Sequence, residues 1–168
     1  MTVRTRYAGP VASMLVSAVL SLGGCITSSS RPAPPPTSPE DAAQYNMQLG
    51  VSYLRQNNLQ AARDKLEKSI EQDPGLATAH AALGVVFERL EDPAGAEKHY
   101  RRAVELDGSD PDSLNALGVF TCSRKEKPDE ALKLFDRAIA VPLSVKAANR
   151  TMLYTNAGTC AKRVDLAR

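Results

Sequence analysis

Apolar and polar positions follow a helical period through the part of the chain after residue 40. Apolar residues recur three and four positions apart, which is the spacing that lines one face of an α-helix. The first two stretches of this kind cover Ala43–Gln56 and Gln60–Gln72, with a short polar turn between them. The pattern therefore predicts an all-α chain in which consecutive helices form antiparallel pairs.

This pattern also repeats along the chain, because a Leu-Gly pair returns every 34 residues. Glycine in a helix interior costs about 1 kcal/mol relative to alanine, so its recurrence indicates close approach of the second helix. Alanines on the second helix allow the same approach from the other side. The positions predicted to pack the repeat are Leu49, Gly50, Tyr53, Ala62, Leu83, Gly84, Phe87, Ala96, Leu117, Gly118 and Ala131.

The Leu-Gly pair, the ring three residues later and the later Ala-x₃-bulky element resemble the tetratricopeptide repeat. The resemblance implies a right-handed superhelix of antiparallel helix pairs over residues 40–168, with units at about 43–76, 77–110, 111–145 and part of a fourth at 151–168. The Trp position of the repeat holds Asn46, His80 and Leu114, and the third unit has one extra residue near Lys127-Pro128.

The end of the sequence allows two interpretations. A solenoid needs a closing unit with a polar outer face, and the last residues before Arg168 do not supply one. We expect either that the sequence is truncated or that Thr151–Arg163 itself serves as the cap.

Residues 1–24 have the pattern of a secretory signal peptide, with Arg4 and Arg6 followed by an apolar run. The run is about 12 residues, whereas a membrane-spanning helix needs about 20. Leu22-Gly23-Gly24-Cys25 resembles a lipobox, which implies cleavage before Cys25 and lipidation of this cysteine. A retained anchor and an ordinary signal peptide with a chance cysteine are the alternatives.

Residues 25–39 combine the predicted lipidated cysteine with a Pro- and Ser-rich linker. Proline disfavours helix interiors and central strands, so Thr27–Pro39 is predicted to be an extended spacer reaching roughly 40 Å. Ile26 rather than Asp follows the cysteine. In bacterial lipoproteins this resembles the signal for the outer membrane, which predicts a lipid-anchored domain facing the periplasm.

Charge and motifs narrow the possible functions. Of 21 Lys and Arg residues, Arg4 and Arg6 leave with the leader, so 19 basic residues balance 19 acidic ones. Without a basic block, nucleic acid is not an expected partner. His80 and His99 lack neighbours at metal-ligand spacing, and no catalytic motif is present. We predict no enzyme activity, catalytic residue, metal, cofactor or small-molecule substrate.

Two cysteines remain besides Cys25. Cys122 and Cys160 are 38 residues apart, on predicted first helices of adjacent units that pack side by side. A disulfide is therefore a hypothesis for an oxidising compartment, and two buried free thiols are the alternative.

Three longer strings resemble the PilF/PilW family of pilotin lipoproteins in type IV pilus biogenesis. They are AHAALGVVFERLEDPAGAEKHYRRAVELD, LNALGVFTCSRKEKPDEALKLFDRAI and VPLSVKAANRTMLYTNAGTC. The resemblance implies an outer-membrane scaffold that binds the pilus secretin and assists its localisation and multimerisation. The alternative is a general tetratricopeptide envelope adaptor that docks periplasmic proteases or cell-wall enzymes.

In this architecture the first helices line the concave groove, so a partner is expected to bind there. Met47, Val51 and Leu54 make the first unit's groove apolar, although packing against a neighbouring segment would explain them equally. The predicted groove residues are Gln44, Met47, Val51, Leu54, Arg55, Thr78, Ala81, Val85, Glu88, Arg89, Asp112, Asn115, Val119 and Ser123.

Overall fold

The computed structural model describes residues 38–124, 126–142 and 149–166. These residues form helices and turns without any strand, so the all-α prediction is confirmed. The helices are α1 (Pro39–Arg55), α2 (Leu59–Gln72), α3 (Ala77–Arg89), α4 (Pro93–Leu106), α5 (Pro111–Ser123), α6 (Pro128–Ala140) and α7 (Arg150–Leu166). Three antiparallel pairs are followed by the first helix of a fourth unit.

Helix α1 begins four residues before the predicted start at Ala43. Ser38 caps it, because its Oγ accepts a hydrogen bond of 3.0 Å from the backbone N of Asp41. Pro39 fits the first turn, where its missing N–H leaves no intrahelical bond unmade. The helix therefore takes in Pro39, which the sequence had placed at the end of the linker.

The first helices form one layer and the second helices another. Helix α1 contacts α3, α3 contacts α5, and α5 contacts α7. Among the described helices, the backbones of α2 and α4, and those of α4 and α6, do not come close, although Nη2 of Arg101 on α4 lies 3.0 Å from Oε1 of Glu130 on α6. Since the first helices lie closer together than the second helices, the stack curves with its first helices on the inside. We call their shared surface the inner face.

The repeated glycines allow each helix pair to close. A Cβ added at Gly50 would lie 2.6 Å from Cγ of Leu66, and one at Gly84 would lie 2.6 Å from Cδ1 of Tyr100. At Gly118 the nearest atom is Cε1 of Phe135, at 2.8 Å. The predicted role of these glycines in close helix approach is confirmed.

The apolar core continues from the first two units into the later ones. Ala62, Ala96 and Ala131 are completely buried, as the repeat pattern predicted. Phe87 packs against the apolar cluster of the first two units and also against the cluster that continues into the later units. It therefore joins the two clusters, which is the role expected of the ring between neighbouring units.

Polar residues replace the usual large ring at the Trp position of the first unit. Asn46 is buried there, and its Nδ2 donates to Oε1 of Gln72 at 2.8 Å and to the carbonyl of Ala42 at 3.0 Å. Ser69 Oγ donates to the carbonyl of Ala43 at 2.8 Å. These hydrogen bonds hold α1 to α2 without leaving a buried polar group unpaired.

The turns inside the pairs share one unusual conformation. Asn57, Glu91 and Glu126 have φ values of 58°, 59° and 53°, the left-handed region that favours glycine. The first two are 34 residues apart and the last two are 35 apart. The extra residue predicted for the third unit therefore lies between Gly118 and Glu126, at the end of α5.

Replacing Glu91 by glycine is expected to stabilise the protein by about 0.5–1 kcal/mol, because glycine adopts positive φ without a Cβ clash. Urea unfolding of E91G should show a higher midpoint. N57G is the matched control and should change stability less, since asparagine tolerates this conformation. A midpoint of E91G at or below that of the parent would contradict the prediction.

Candidate functional site

The predicted groove residues are exposed, half-buried or buried in the structure. The exposed ones are Gln44, Arg55, Thr78, Arg89, Asp112, Val119 and Ser123. The half-buried ones are Met47, Val51, Ala81, Val85 and Glu88. The buried ones are Leu54 and Asn115.

The two buried residues correct the predicted groove. Leu54 is only 8% exposed, because it packs in the core with Leu66 and Leu83. Asn115 is 9% exposed, and its Oδ1 accepts a hydrogen bond of 2.9 Å from Nδ2 of Asn156. Helical spacing places both near the groove, but it does not show that neighbouring helices cover them. Neither side chain is available to a partner.

An apolar row follows the same register on three first helices. Val51, Val85 and Val119 each come directly after the repeat glycine. Val51 and Val85 are half-buried, whereas Val119 is exposed. We call these three residues the valine row. It offers an apolar strip along the inner face that burial against a partner would stabilise.

A basic row runs beside it. Arg55, Arg89 and Arg163 each lie five residues after the glycine of their unit, and all three are exposed. We call them the arginine row. Arg55 and Arg89 are among the groove residues predicted from the sequence, whereas Arg163 is not. The sequence signal for Arg163 is its position five residues after Gly158, the glycine of the fourth unit.

Two members of the arginine row are held by the preceding unit. Nη1 of Arg89 donates to the carbonyl of Leu54 at 3.1 Å, and Nη1 of Arg163 donates to the carbonyl of Cys122 at 3.0 Å. Both carbonyls lie near the end of a first helix, and that of Leu54 also accepts a hydrogen bond of 3.1 Å from the backbone N of Asn57. Each arginine bond therefore fixes a guanidinium on the inner face.

The third unit differs, because the extra residue shifts its arginine by one position. Nε of Arg124 lies 3.7 Å from Oε1 of Glu88, and the hydroxyl of Tyr100 donates to Oε2 of Glu88 at 2.9 Å. Burial, followed by the charge of Glu88, raises the pKa of Tyr100. Glu88 is therefore occupied on both carboxylate oxygens, and the neighbouring arginine balances its charge.

A disulfide joins α5 to α7 in the structure. The Sγ atoms of Cys122 and Cys160 are 2.08 Å apart, and their Cα atoms are 6.0 Å apart. This is the pairing that the sequence hypothesis named. It fixes the first helix of the fourth unit beside the inner face of the third.

The two histidines form a packed pair between α3 and α4. Their Nδ1 atoms are 3.1 Å apart, and the ring of His99 also stacks on Phe87 at 5.3 Å. Among the described residues, no group of three or more His, Cys, Asp or Glu is arranged to hold a metal ion. We therefore assign His80 and His99 to packing inside the second unit.

The free energy of unfolding is expected to fall by about 1 kcal/mol between pH 7 and pH 5, after allowance for partial exposure of His99. Burial, then the charges of His80 and Lys98, lowers the pKa of His99 to about 4. The unfolded chain takes up this proton near pH 6.5. The stabilisation is thus complete above pH 6.5 and is lost as the pH falls towards 4.

Urea unfolding across this pH range checks the prediction. The environment includes Glu67, which raises the pKa of His99, while burial, followed by the charges of Arg102 and Lys98, lowers the pKa of His80. In H99Q the ring of His99 is gone, so the pH dependence should become weaker, and what remains includes the part due to His80. An unchanged slope in H99Q would assign the effect to other groups.

Cys25, the leader at 1–24 and all but the last two residues of the linker lie outside the described residues. Lipidation, cleavage and the spacer remain predictions from the sequence. Within the described part of the chain, none of the helices combines the length and apolar character needed to cross a bilayer.

Comparison with known proteins identifies the repeat and a set of relatives. A family model described as "Tetratricopeptide repeat" matches residues 39–77 and 47–111. The type IV pilus assembly protein PilF of Pseudomonas aeruginosa is 31% identical over 148 residues, which cover 88% of this chain and 57% of PilF. The chain thus spans little more than half the length of this relative.

Solved structures agree with the sequence comparison. The structure of P. aeruginosa PilF superposes with a TM-score of 0.69 at 30% identity, covering 76% of this chain and 55% of that one. PilW, described as a widely conserved type IV pilus biogenesis factor, gives a TM-score of 0.69 at 22% identity over 74% of this chain and 55% of that one. The likeness to PilW supports the fold alone.

Proposed function

Since this chain is a tetratricopeptide-repeat protein homologous to the pilus assembly protein PilF, we propose that it is a pilotin of type IV pilus biogenesis. In this role it binds a subunit of the outer-membrane secretin and assists its localisation and assembly into a ring. The observation that carries the proposal is the identity to PilF, which extends over 88% of this chain.

The inner face is a suitable surface for this task. It presents the valine row beside the arginine row, and the helix pairs behind it are closely packed at the repeat glycines. A preformed face loses little conformational freedom on binding, which favours affinity. The task needs no chemical step, so a non-enzymatic scaffold is sufficient.

The proposal includes a lipid anchor at Cys25 in the outer membrane, with the repeat domain in the periplasm. Two or more acyl chains hold a protein stably on a bilayer, whereas one chain does not. Anchoring would keep the bound secretin subunit near the membrane and raise its local concentration. The Pro-rich linker supplies the reach between the anchor and the repeat domain.

Deletion of the gene in its own bacterium tests the proposal. We expect loss of heat-stable secretin multimers and of twitching motility, with recovery on expression of the full chain. Expression of Cys25→Ala in the deletion strain should return the protein to normal levels, but secretin multimers should stay reduced or mislocalised. Normal multimers and motility in the deletion strain would refute the pilotin role. Copurification with cell-wall hydrolases instead of secretin would support the adaptor alternative.

A further inference from the structure

We propose that the inner face binds an acidic, partly apolar segment of the partner protein, with carboxylates on the arginine row and apolar side chains on the valine row. The inference rests on the proposed role as a protein-binding scaffold, and it adds the chemistry of the bound segment. Carboxylate and guanidinium form strong charge-assisted hydrogen bonds, often in pairs.

Fixed geometry is the first reason to assign a binding role to the arginine row. Arg89 and Arg163 each donate one hydrogen bond to a helix-end carbonyl of the preceding unit. A guanidinium has five N–H donors, so most remain available on these exposed side chains. Because the side chains are already held in place, a carboxylate that binds them loses less conformational freedom.

Arg55 gives the second reason. It occupies the same register in the first unit, and among the described residues no earlier unit offers a carbonyl to it. Its side chain is exposed and has no hydrogen-bond or ion-pair partner among the described residues. Its position in the last turn of α1 suits the helix dipole, which is a modest effect at an exposed site, and all its N–H donors remain available to a carboxylate from a partner.

The charges around the row also favour an acidic segment. No ion pair joins Arg55, Arg89 or Arg163 to a carboxylate among the side chains that the structure describes. Two acidic groups lie on the first helices in the predicted groove: Glu88, which is held by Arg124 and Tyr100, and Asp112, which lies in the first turn of α5, whereas Arg55 and Arg89 lie in the last turns of α1 and α3. The row therefore keeps its positive charge.

The chain's own amino-terminal segment does not have the required chemistry. No Asp or Glu precedes Glu40, whereas Arg4, Arg6 and Arg31 do. The leader or linker would bring like charge to the arginine row, which opposes binding. The segment before Glu40 therefore does not supply the acidic residues.

The repeat also sets the spacing of the carboxylates. Packed helices lie about 8–10 Å apart, and a polyproline-type segment advances about 9 Å in three residues. An extended segment with acidic residues three positions apart would therefore meet Arg55 and Arg89 of the first two units, and Arg163 lies two units further on. Apolar residues between them would face the valine row.

Selection from a random peptide library displayed on phage tests the inference, with the full-length chain purified in detergent as the bait. We expect recovered peptides enriched in Asp and Glu next to apolar residues. The best peptide, labelled with a fluorophore, should bind more weakly as salt increases. Recovery of neutral or basic peptides, or of none, would overturn the inference.

Charge reversal locates the binding site. R55E should weaken the labelled peptide several-fold, and R55E/R89E about tenfold. R55E is the safer variant for folding because Arg55 has no partner among the described residues. The matched control is K68E/K98E, which reverses two exposed charges on the second helices and should leave the affinity unchanged. Equal weakening by the control would refute the assignment.

Two further outcomes separate this inference from its alternatives. If R55E/R89E lost binding to phosphatidylglycerol vesicles but kept peptide binding, the row would be a membrane contact and the inference would be wrong. If R55E/R89E restored secretin multimers fully in the deletion strain, the pilotin role would be supported and the proposed binding of an acidic segment to the arginine row would be refuted. The two proposals can therefore fail separately.

Discussion

Gly84→Val is expected to lower the free energy of unfolding by about 3 kcal/mol, at the upper end of the cost of overpacking a core. A Cβ at this position would lie 2.6 Å from Cδ1 and 2.7 Å from Cε1 of Tyr100. The ring has no room to withdraw, because Tyr100 is 2% exposed and its hydroxyl is bonded to Glu88. Urea unfolding followed by circular dichroism measures the loss.

Gly158→Ala is the matched control, since it changes the equivalent glycine of the fourth unit. A Cβ there would meet no atom within 4 Å. Alanine has a higher helix propensity, so G158A should stabilise the protein by up to about 1 kcal/mol. The opposite signs of the two effects separate packing from propensity. If G84V were as stable as the parent, the glycine contacts would not be what closes the helix pairs.

The repeat could be predicted from the sequence because its packing rule is local and recurs. Gly50, Gly84 and Gly118 return in register with the alanines of the second helices, so each unit supports the assignment of the others. The same regularity located the extra residue of the third unit to within a few positions. Only the start of α1 was misplaced, because a capped helix can begin with a proline.

Burial on the inner face could not be predicted from one helix at a time. Leu54 has the spacing of a groove residue, but the neighbouring unit covers it. Asn115 is similarly covered, by the hydrogen bond from Asn156 in the next first helix. Exposure at these positions depends on how far adjacent units overlap, which a single-helix pattern does not contain.

The hydrogen bonds of the arginine row also depend on contacts between units, which the pattern of a single helix does not contain. The sequence marks Arg55 and Arg89 as groove residues, but not that a carbonyl of the preceding unit holds Arg89. That bond depends on the position of the helix-end carbonyl of Leu54 and on the distance between stacked units. Arg163 belongs to the row because it lies five residues after Gly158, which is the glycine of the fourth unit.

Removal of the disulfide is the second change with a large expected effect. Replacement of Cys122 and Cys160 by alanine should lower the free energy of unfolding by about 4 kcal/mol, since the bond closes a loop of 38 residues. The chain-entropy model gives this value, and truncation of the two buried side chains adds to the loss.

The loss should appear first in α7. This helix packs on α5 and α6, and the described residues contain no second helix of its own unit. Without the bond, fewer contacts oppose its separation, so its amides should exchange with solvent faster than those of α3, which the other units enclose. Hydrogen exchange resolved by helix, together with urea unfolding, measures both effects.

Wild-type protein in a reducing agent provides the comparison that keeps both sulfur atoms in place. Amides of α7 should exchange as fast in this reduced protein as in C122A/C160A, and more slowly in the parent under oxidising conditions. Thiol alkylation followed by mass measurement verifies the state of each sample. If Cys122 and Cys160 both alkylated in the oxidised protein, the bond would be absent. The stability of α7 would then depend on its packing against α5 and α6 alone.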